Sequence, residues 1–490
     1  MSLFSIFSII PKTEEFVYMR NAKKFILFFA VLFIFAINAD FIGVYKVSAF
    51  SPDFDIYSEA VFMVNLDTDL SVFRKNEFEQ IHPASTTKIM TALVVLENVE
   101  NLNAFVRVTN AMNYGFGENP NFTGAQAADF AVGQENITYL DCLYALLIYS
   151  ACDAANILAH NVGGDESISG FVEMMNKKAR SLGCYNTNFS NPHGLHQKDN
   201  YTCAYDLFLI TKHALENYPQ FLEIANTPRY ELPSNSRNPN GIPIRNTNWL
   251  LRNEAENTHY YEFARGIKTG SIDEFYNVET GERTEGNFSL VSTATMGSYT
   301  YLIVSLGAPF YIPGTYASGA KQRAYYAYND HNALYRWAFA TIEYRMVLSE
   351  DDIVSQIPVK NGFDADRVQL KPAQDYSTLL PKNVDNTAIL RVPTLTAPEI
   401  EAPVTKGEVL GYVELKLAGE TLAVIDLVAA RDISKSTVED IKDTLFGIFD
   451  TVWFKALVAV LAALIIFVAV LRIINEQRYK KRIKNRNIRR

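Results

Sequence analysis

The chain has 490 residues, 48% apolar and 20% charged, with a formal charge of −9. That is material for two or three packed domains, and it excludes a disordered or collagen-like chain. The acidic balance argues against a nucleic-acid partner, which needs a net basic face. The four cysteines form no CxxC or zinc-spaced Cys/His pairs, and HExxH, GxGxxG and Walker-type loops are missing, so neither a metal nor a nucleotide cofactor is expected.

Near the N-terminus, Arg20, Lys23 and Lys24 precede an unbroken apolar run from Phe25 to Ile37, followed by the small-residue pattern Val47-Ser48-Ala49. Residues 1–49 therefore read as a secretory signal peptide, with the stretch before Met19 an extended start. An uncleaved N-terminal anchor is the alternative, because the interval from Ile37 to Ala49 is long for a signal.

Residues 50–345 alternate short β-like runs, such as Ala60–Val64 and Ser289–Thr295, with helical stretches such as Ile89–Val99 and Tyr139–His160. This is an α/β (α+β) region the size of one large domain. Ser234 to Asn240 has nothing to bury except Pro239 and reads as a loop. Residues 346–433 change texture to short β-branched runs broken by Gly, Pro, Asn and Asp, a pattern for a small all-β module. Residues 434–452 read as an amphipathic linker helix. Residues 453–474, apolar throughout from Ala456 to Leu471, are long enough to cross a bilayer, with Trp453 as an interfacial anchor. The last stretch, Arg472 to Arg490, carries nine basic residues against Glu476. By the positive-inside rule this tail (475–490) is cytoplasmic, and the body left outside is far more acidic than the overall charge implies.

Ser85-Thr86-Thr87-Lys88 follows Pro83 and opens an apolar-periodic run, so Ser85 belongs at a helix start with Lys88 on the same face. A serine needs a neighbouring base to act as a nucleophile, and a desolvated lysine can be one. SxxK alone means little: Ser318-Gly319-Ala320-Lys321 repeats it in a Gly-rich turn with no downstream partner. Ser150-Ala151-Cys152 stands between two helical runs, the first opened by the capping-box pattern Thr138-x-x-Asp141, where a hydroxyl can relay a proton. Lys268-Thr269-Gly270-Ser271 offers a cation, a hydroxyl and close backbone approach to a substrate carboxylate.

These three motifs, in this order, come with the words PASTTKIMTAL, DAANILAHNVGG, NPHGL from Asn191, NTNWLL from Asn246, and GIKTG. Together they resemble the D-alanyl-D-alanine carboxypeptidases, the low-molecular-mass serine penicillin-binding proteins, from about Glu59 to Phe339. Ala402-Pro403-Val404, Lys406-Gly407 and Gly411 resemble the β-rich C-terminal domain of the same family. The resemblance implies a serine β-lactamase/DD-peptidase-like catalytic domain, a small all-β domain and a C-terminal transmembrane helix. It also implies a cell-membrane enzyme, without cofactor, that acts on peptidoglycan stem peptides and is acylated by β-lactam antibiotics. Ser85 would be the acylated nucleophile, Lys88 the general base and Ser150 the relay. Lys268 and Thr269 would hold the terminal carboxylate beside Gly270, and the Ser85 and Ser271 N–H groups would form an oxyanion hole.

The chain departs from that pattern at Cys152, where the family usually has Asn. A thiol hydrogen-bonds weakly, which puts substrate positioning and the balance between hydrolysis and transfer in question. Asn156, one turn further on, is the candidate replacement. DD-transpeptidase and β-lactamase activity stay open on these motifs, as does a catalytically weak penicillin-binding scaffold. His193 reads as a loop or packing residue and Asp206 as a helix brace. Cys142, Cys184 and Cys203 allow one disulfide in an exported protein.

Overall fold

The computed structural model describes residues 52–115, 125–272, 275–276, 283–284, 286–313, 315 and 322–487. The expected signal segment 1–49 and the second SxxK at Ser318 lie outside them. The chain divides into two compact units between Ala340 and Thr341.

The first unit is built on a five-stranded sheet. Its strands are β1 (Ala60–Asn65), β2 (Leu70–Lys75), β3 (Ala264–Ile272), β4 (Asn287–Met296) and β5 (Tyr299–Pro309), in the order β2-β1-β5-β4-β3. Every residue of β1 is buried, which explains its continuous rather than alternating apolar run. Helix α1 (Lys88–Asn98) is buried from Lys88 to Val95, the signature of a central core helix. It joins α2 (Tyr139–Leu147), α3 (Cys152–Val162), α4 (Ile168–Ser181), α5 (Ala204–Asn217) and α6 (Pro219–Ala225) in one apolar core with β1. The capping box forms as expected: Thr138 Oγ1 accepts from the Asp141 N–H at 3.1 Å, and the Asp141 carboxylate accepts from the Thr138 N–H at 2.9 Å.

Helix α7 (Tyr326–Thr341) is pinned to the sheet by a buried polar network. His331 bridges Ser292 Oγ (2.7 Å) and Ser305 Oγ (2.8 Å), while Tyr335 donates to the Ser292 carbonyl at 2.7 Å. Burial pushes the His331 pKa down to about 3, so the imidazole is neutral and bonds from both ring nitrogens. A fully satisfied network of this kind fixes strands β4 and β5 against the helix.

In the second unit, β6 (Ile342–Leu348), β7 (Ser355–Lys360), β8 (Arg367–Pro372), β9 (Tyr376–Pro381), β10 (Leu390–Leu395), β11 (Ile400–Glu401), β12 (Val409–Leu417) and β13 (Glu420–Ala429) form two sheets. One is the pair β6-β9; the other has the order β10-β12-β13-β8-β7-β11. Strand β6 runs across the expected boundary at 345 and belongs wholly to this unit, because its ladder partner is β9. Helix α8 (Thr437–Asp450) and helix α9 (Val452–Asn487) end the described chain. Residues Val452–Arg482 of α9 are long and apolar enough to cross a membrane, and the helix continues unbroken into the basic tail.

All four cysteines are free and buried, so the possible disulfide is not formed. Cys203 instead caps α5, its Sγ accepting from the Asp206 N–H at 3.4 Å. Asp206 braces the same end, accepting from the Asn186 N–H and the Thr187 hydroxyl, each at 2.8 Å.

Candidate active site

Ser85 sits in a 3-10 turn, Ala84–Thr87, that runs directly into α1. Pro83 suits the start of such a turn because its φ is preset and it has no N–H to satisfy. Ala84 is held at φ +50°, a left-handed conformation that a non-glycine residue keeps only when its surroundings enforce it. The enforcement comes from the Asn191-Pro192-His193-Gly194 loop. Gly194, at φ +79°, lies so close that a Cβ there would fall 1.9 Å from the Ala84 carbonyl oxygen.

One turn on, the Lys88 amine is fully buried and has three neighbours. Nζ lies 3.0 Å from Ser85 Oγ, 3.4 Å from Cys152 Sγ and 2.6 Å from the His193 carbonyl oxygen. His193 therefore contributes its backbone. Its ring is neutral, with the pKa lowered to about 3 by burial and by Lys88, and Nδ1 accepts from the Leu195 N–H.

The break between α2 and α3 brings in the second motif. Ser150, at φ +68°, turns the chain, and α3 starts at Cys152. The Cys152 N–H donates to the Gln126 carbonyl at 2.8 Å. Asp153 is a residue that the motif reading missed. Its buried carboxylate accepts from the N–H groups of Ala128, Phe130 and Ala154, which fixes the strand of loop carrying Ala125 and Gln126 along the cleft. An acidic residue in a first helical turn was the available signal. Asn156 does not replace the missing family amide, because its Nδ2 is spent on the Met112 and Tyr114 carbonyls at 3.0 and 2.9 Å.

The third motif lies on β3, the edge of the sheet, where Lys268 pairs with Val291 and Thr269 with Leu290 of β4. Lys268 is buried, and its Nζ donates to the Thr269 carbonyl at 2.9 Å. Gly270 lies directly against the Ser85 turn: a Cβ there would sit 3.0 Å from the Pro83 carbonyl and 3.2 Å from the Ser85 nitrogen. A side chain there would require the turn or the strand to give by a few tenths of an ångström.

Ser85, Ser150, Cys152, Thr269 and Ser271 all line one cleft of about 340 Å³. Lys88 and Lys268 stand behind its wall. Arg252, Arg323 and an aromatic side that includes Trp249, of the NTNWLL word, and Tyr325 also line the cleft, none of them given a role by the three motifs. Burial lowers the pKa of both lysines, more strongly for Lys268, which also feels the charge of Lys88; Cys152 opposes the shift at each. Two ammonium groups so placed repel, so the pair readily gives up one proton.

A serine in a turn leading into a helix beside a buried lysine, a second serine at a helix junction and a cationic edge strand, on an α/β domain followed by an all-β domain, define the penicillin-binding class of serine enzymes. The profile of the D-alanyl-D-alanine carboxypeptidase family matches residues 46–309. That of the penicillin-binding protein 5 C-terminal domain matches residues 343–435. The chain belongs to the D-alanyl-D-alanine carboxypeptidase family.

Among its relatives, D-alanyl-D-alanine carboxypeptidase DacF of Bacillus subtilis (strain 168) is 27% identical over 77% of this chain and 86% of its own. The D-alanyl-D-alanine carboxypeptidase of Streptomyces sp. (strain K15) is 30% identical over 49% of this chain and 77% of its own. Penicillin-binding protein 5 from Haemophilus influenzae shares the fold, with a TM-score of 0.53 at 23% identity over 79% of this chain and all of that one.

Proposed function

We propose that the protein is a membrane-anchored serine D-Ala-D-Ala carboxypeptidase that removes the terminal D-alanine from peptidoglycan stem peptides and is acylated by β-lactams. The observation that carries this reading is the set of neighbours around Lys88 Nζ. A neutral amine has two N–H donors and one lone pair. The His193 carbonyl only accepts and the Cys152 sulfur takes the second N–H, so the lone pair is left for the Ser85 hydroxyl at 3.0 Å. The base thus faces the nucleophile it must activate.

In this mechanism Ser85 Oγ gives its proton to Lys88 and bonds to the carbonyl carbon between the two D-alanines. The oxygen that becomes negative is met by the Ser85 and Ser271 N–H groups. The C–N bond then breaks, the leaving amine takes a proton relayed from Lys88 through Ser150, and D-alanine departs. Water, deprotonated by Lys88, attacks the acyl ester and restores Ser85. Thr269 holds the terminal carboxylate, and Lys268 supplies positive charge from behind the wall. The substrate lies along the free edge of β3, so the close approach at Gly270 sets the distance between nucleophile and strand. Gly270→Ala is expected to slow acylation by fluorescent penicillin about 100-fold, since the added Cβ displaces the Ser85 turn. An unchanged rate would mean the turn absorbs the methyl group without moving the nucleophile.

Helix α9 is the membrane anchor in this reading. Its apolar stretch is wholly unburied, and the basic tail supports a cytoplasmic C-terminus with the catalytic unit outside.

The test is mass spectrometry of a pentapeptide ending in D-Ala-D-Ala, with an amine acceptor present. A peptide shortened by one alanine is the expected product. Cross-linked peptide would mean a transpeptidase, opened penicillin without peptide cleavage a β-lactamase, and stable acylation without D-alanine release a scaffold. Cys152→Asn restores an amide beside Lys88, and the KM for the pentapeptide is expected to fall about fivefold, the worth of one net hydrogen bond. Unchanged kinetics and products would show that the thiol serves as well as the amide.

A further inference from the structure

Thr247 lies outside the three motifs, yet it lines the same cleft. Its two neighbours are buried and committed elsewhere. Asn246 Nδ2 donates to the carbonyls of Ala225 and Thr227, at 2.9 and 3.0 Å, and Asn248 Nδ2 donates to that of Gly266 at 2.6 Å. The Thr247 backbone is held at both ends. Its N–H donates to the Ile148 carbonyl at 2.8 Å, two residues before Ser150, and its carbonyl accepts from the Tyr328 hydroxyl at 3.2 Å. The one group left with freedom is the hydroxyl, and it stands 2.7 Å from Thr269 Oγ1.

Two hydroxyls at this distance are joined by a single proton. When Thr247 donates it, the Thr269 proton is released to point into the cleft, and the first bond polarises the second. We propose that Thr247 is a positioning residue that orients the Thr269 hydroxyl as a donor to the terminal carboxylate of the substrate. This rests on the carboxylate role given to Thr269 above. The clamped backbone makes the device precise, because neither end of Thr247 can rotate without breaking its bond to Ile148 or to Tyr328. The requirement is for a hydroxyl at this position: serine keeps it, while valine keeps the volume and loses the proton.

The experiment is steady-state kinetics of the full-length chain on a D-Ala-D-Ala peptide with a free terminal carboxylate and on its methyl ester. The wild type is expected to prefer the free acid. Thr247→Val should raise the KM for the acid about three- to tenfold with kcat changed less than twofold, and should leave the ester unaffected, so that the preference shrinks. Thr247→Ser should restore the wild-type preference. A wild type that prefers the acid, with a valine variant that prefers it equally, overturns the positioning role and leaves the carboxylate role of Thr269 standing. A wild type without preference overturns both. Equal impairment of the valine and serine variants on both substrates means packing alone, and also overturns the proposal.

Discussion

Ser85→Ala is expected to abolish covalent labelling by fluorescent penicillin and to lower D-alanine release by at least about 10⁴-fold, as for other enzymes stripped of their nucleophile. The group lost carries the oxygen to which the acyl group bonds, and it is the hydroxyl that stands 3.0 Å from Lys88 Nζ. The variant should fold. Among the described residues the Ser85 side chain has one hydrogen bond, the one it shares with Lys88, and Lys88 keeps the His193 carbonyl and Cys152. The turn itself is held by main-chain and neighbouring contacts, including the Thr86 N–H and hydroxyl on the Pro83 carbonyl at 3.1 and 2.6 Å. A labelling assay on wild type and variant side by side, with circular dichroism to verify folding, decides the matter. Undiminished labelling of a folded variant would remove Ser85 from the mechanism.

Lys88→Met should cost about 10²- to 10⁴-fold in the acylation rate, the range for loss of a positioned general base. Methionine matches the buried, largely apolar path of the lysine stem, so stability suffers less than from a buried polar replacement. Lys88→Arg should fail as badly, because a guanidinium stays protonated and cannot accept the serine proton.

The pH profile tests the same assignment. A base works only when deprotonated, and burial favours the neutral amine, so kcat/KM should rise with pH through a value below that of a solvated lysine. The pKa of Lys268, whose positive charge is needed at the carboxylate, is pushed down still more strongly by burial and by Lys88, so the rise and the later fall belong to the pair, whose singly protonated form is the active one, and not to one amine each. A substrate carboxylate arriving near Lys268 favours the proton there, and repulsion between the cations then keeps Lys88 neutral. Lys88→Met removes one member of the pair and should abolish the two-limbed profile. An unaltered profile, or activity within tenfold of wild type, would exclude Lys88 as the base.

How much of this was legible in the chain depends on the range of the interaction. SxxK spacing placed Lys88 beside Ser85 because i and i+3 share a face even when the first residues form a 3-10 turn. The capping box at Thr138 and the loop at Ser234–Asn240 were likewise local, and both formed as read. Strands β6 and β9 were not foreseen. β6 mixes exposed and buried positions and takes its identity from a partner strand about thirty residues away, which no local window contains. Asn156 was misjudged for a related reason. Its helical position was right, but the carbonyls of Met112 and Tyr114 come from a distant turn and had already claimed its amide.

The motifs, their order and the chemistry of serine, lysine and hydroxyl groups were therefore written in the chain, since each depends on residues close in sequence. So were the apolar terminal helix and its basic flank. Folding alone decided that Gly270 of an edge strand lies against the Ser85 nitrogen, that the His193 carbonyl and not its ring meets Lys88, and that Thr247 faces Thr269. Those contacts join segments separated by tens to hundreds of residues. They exist because a buried polar group must be paired and the core leaves few places where it can be.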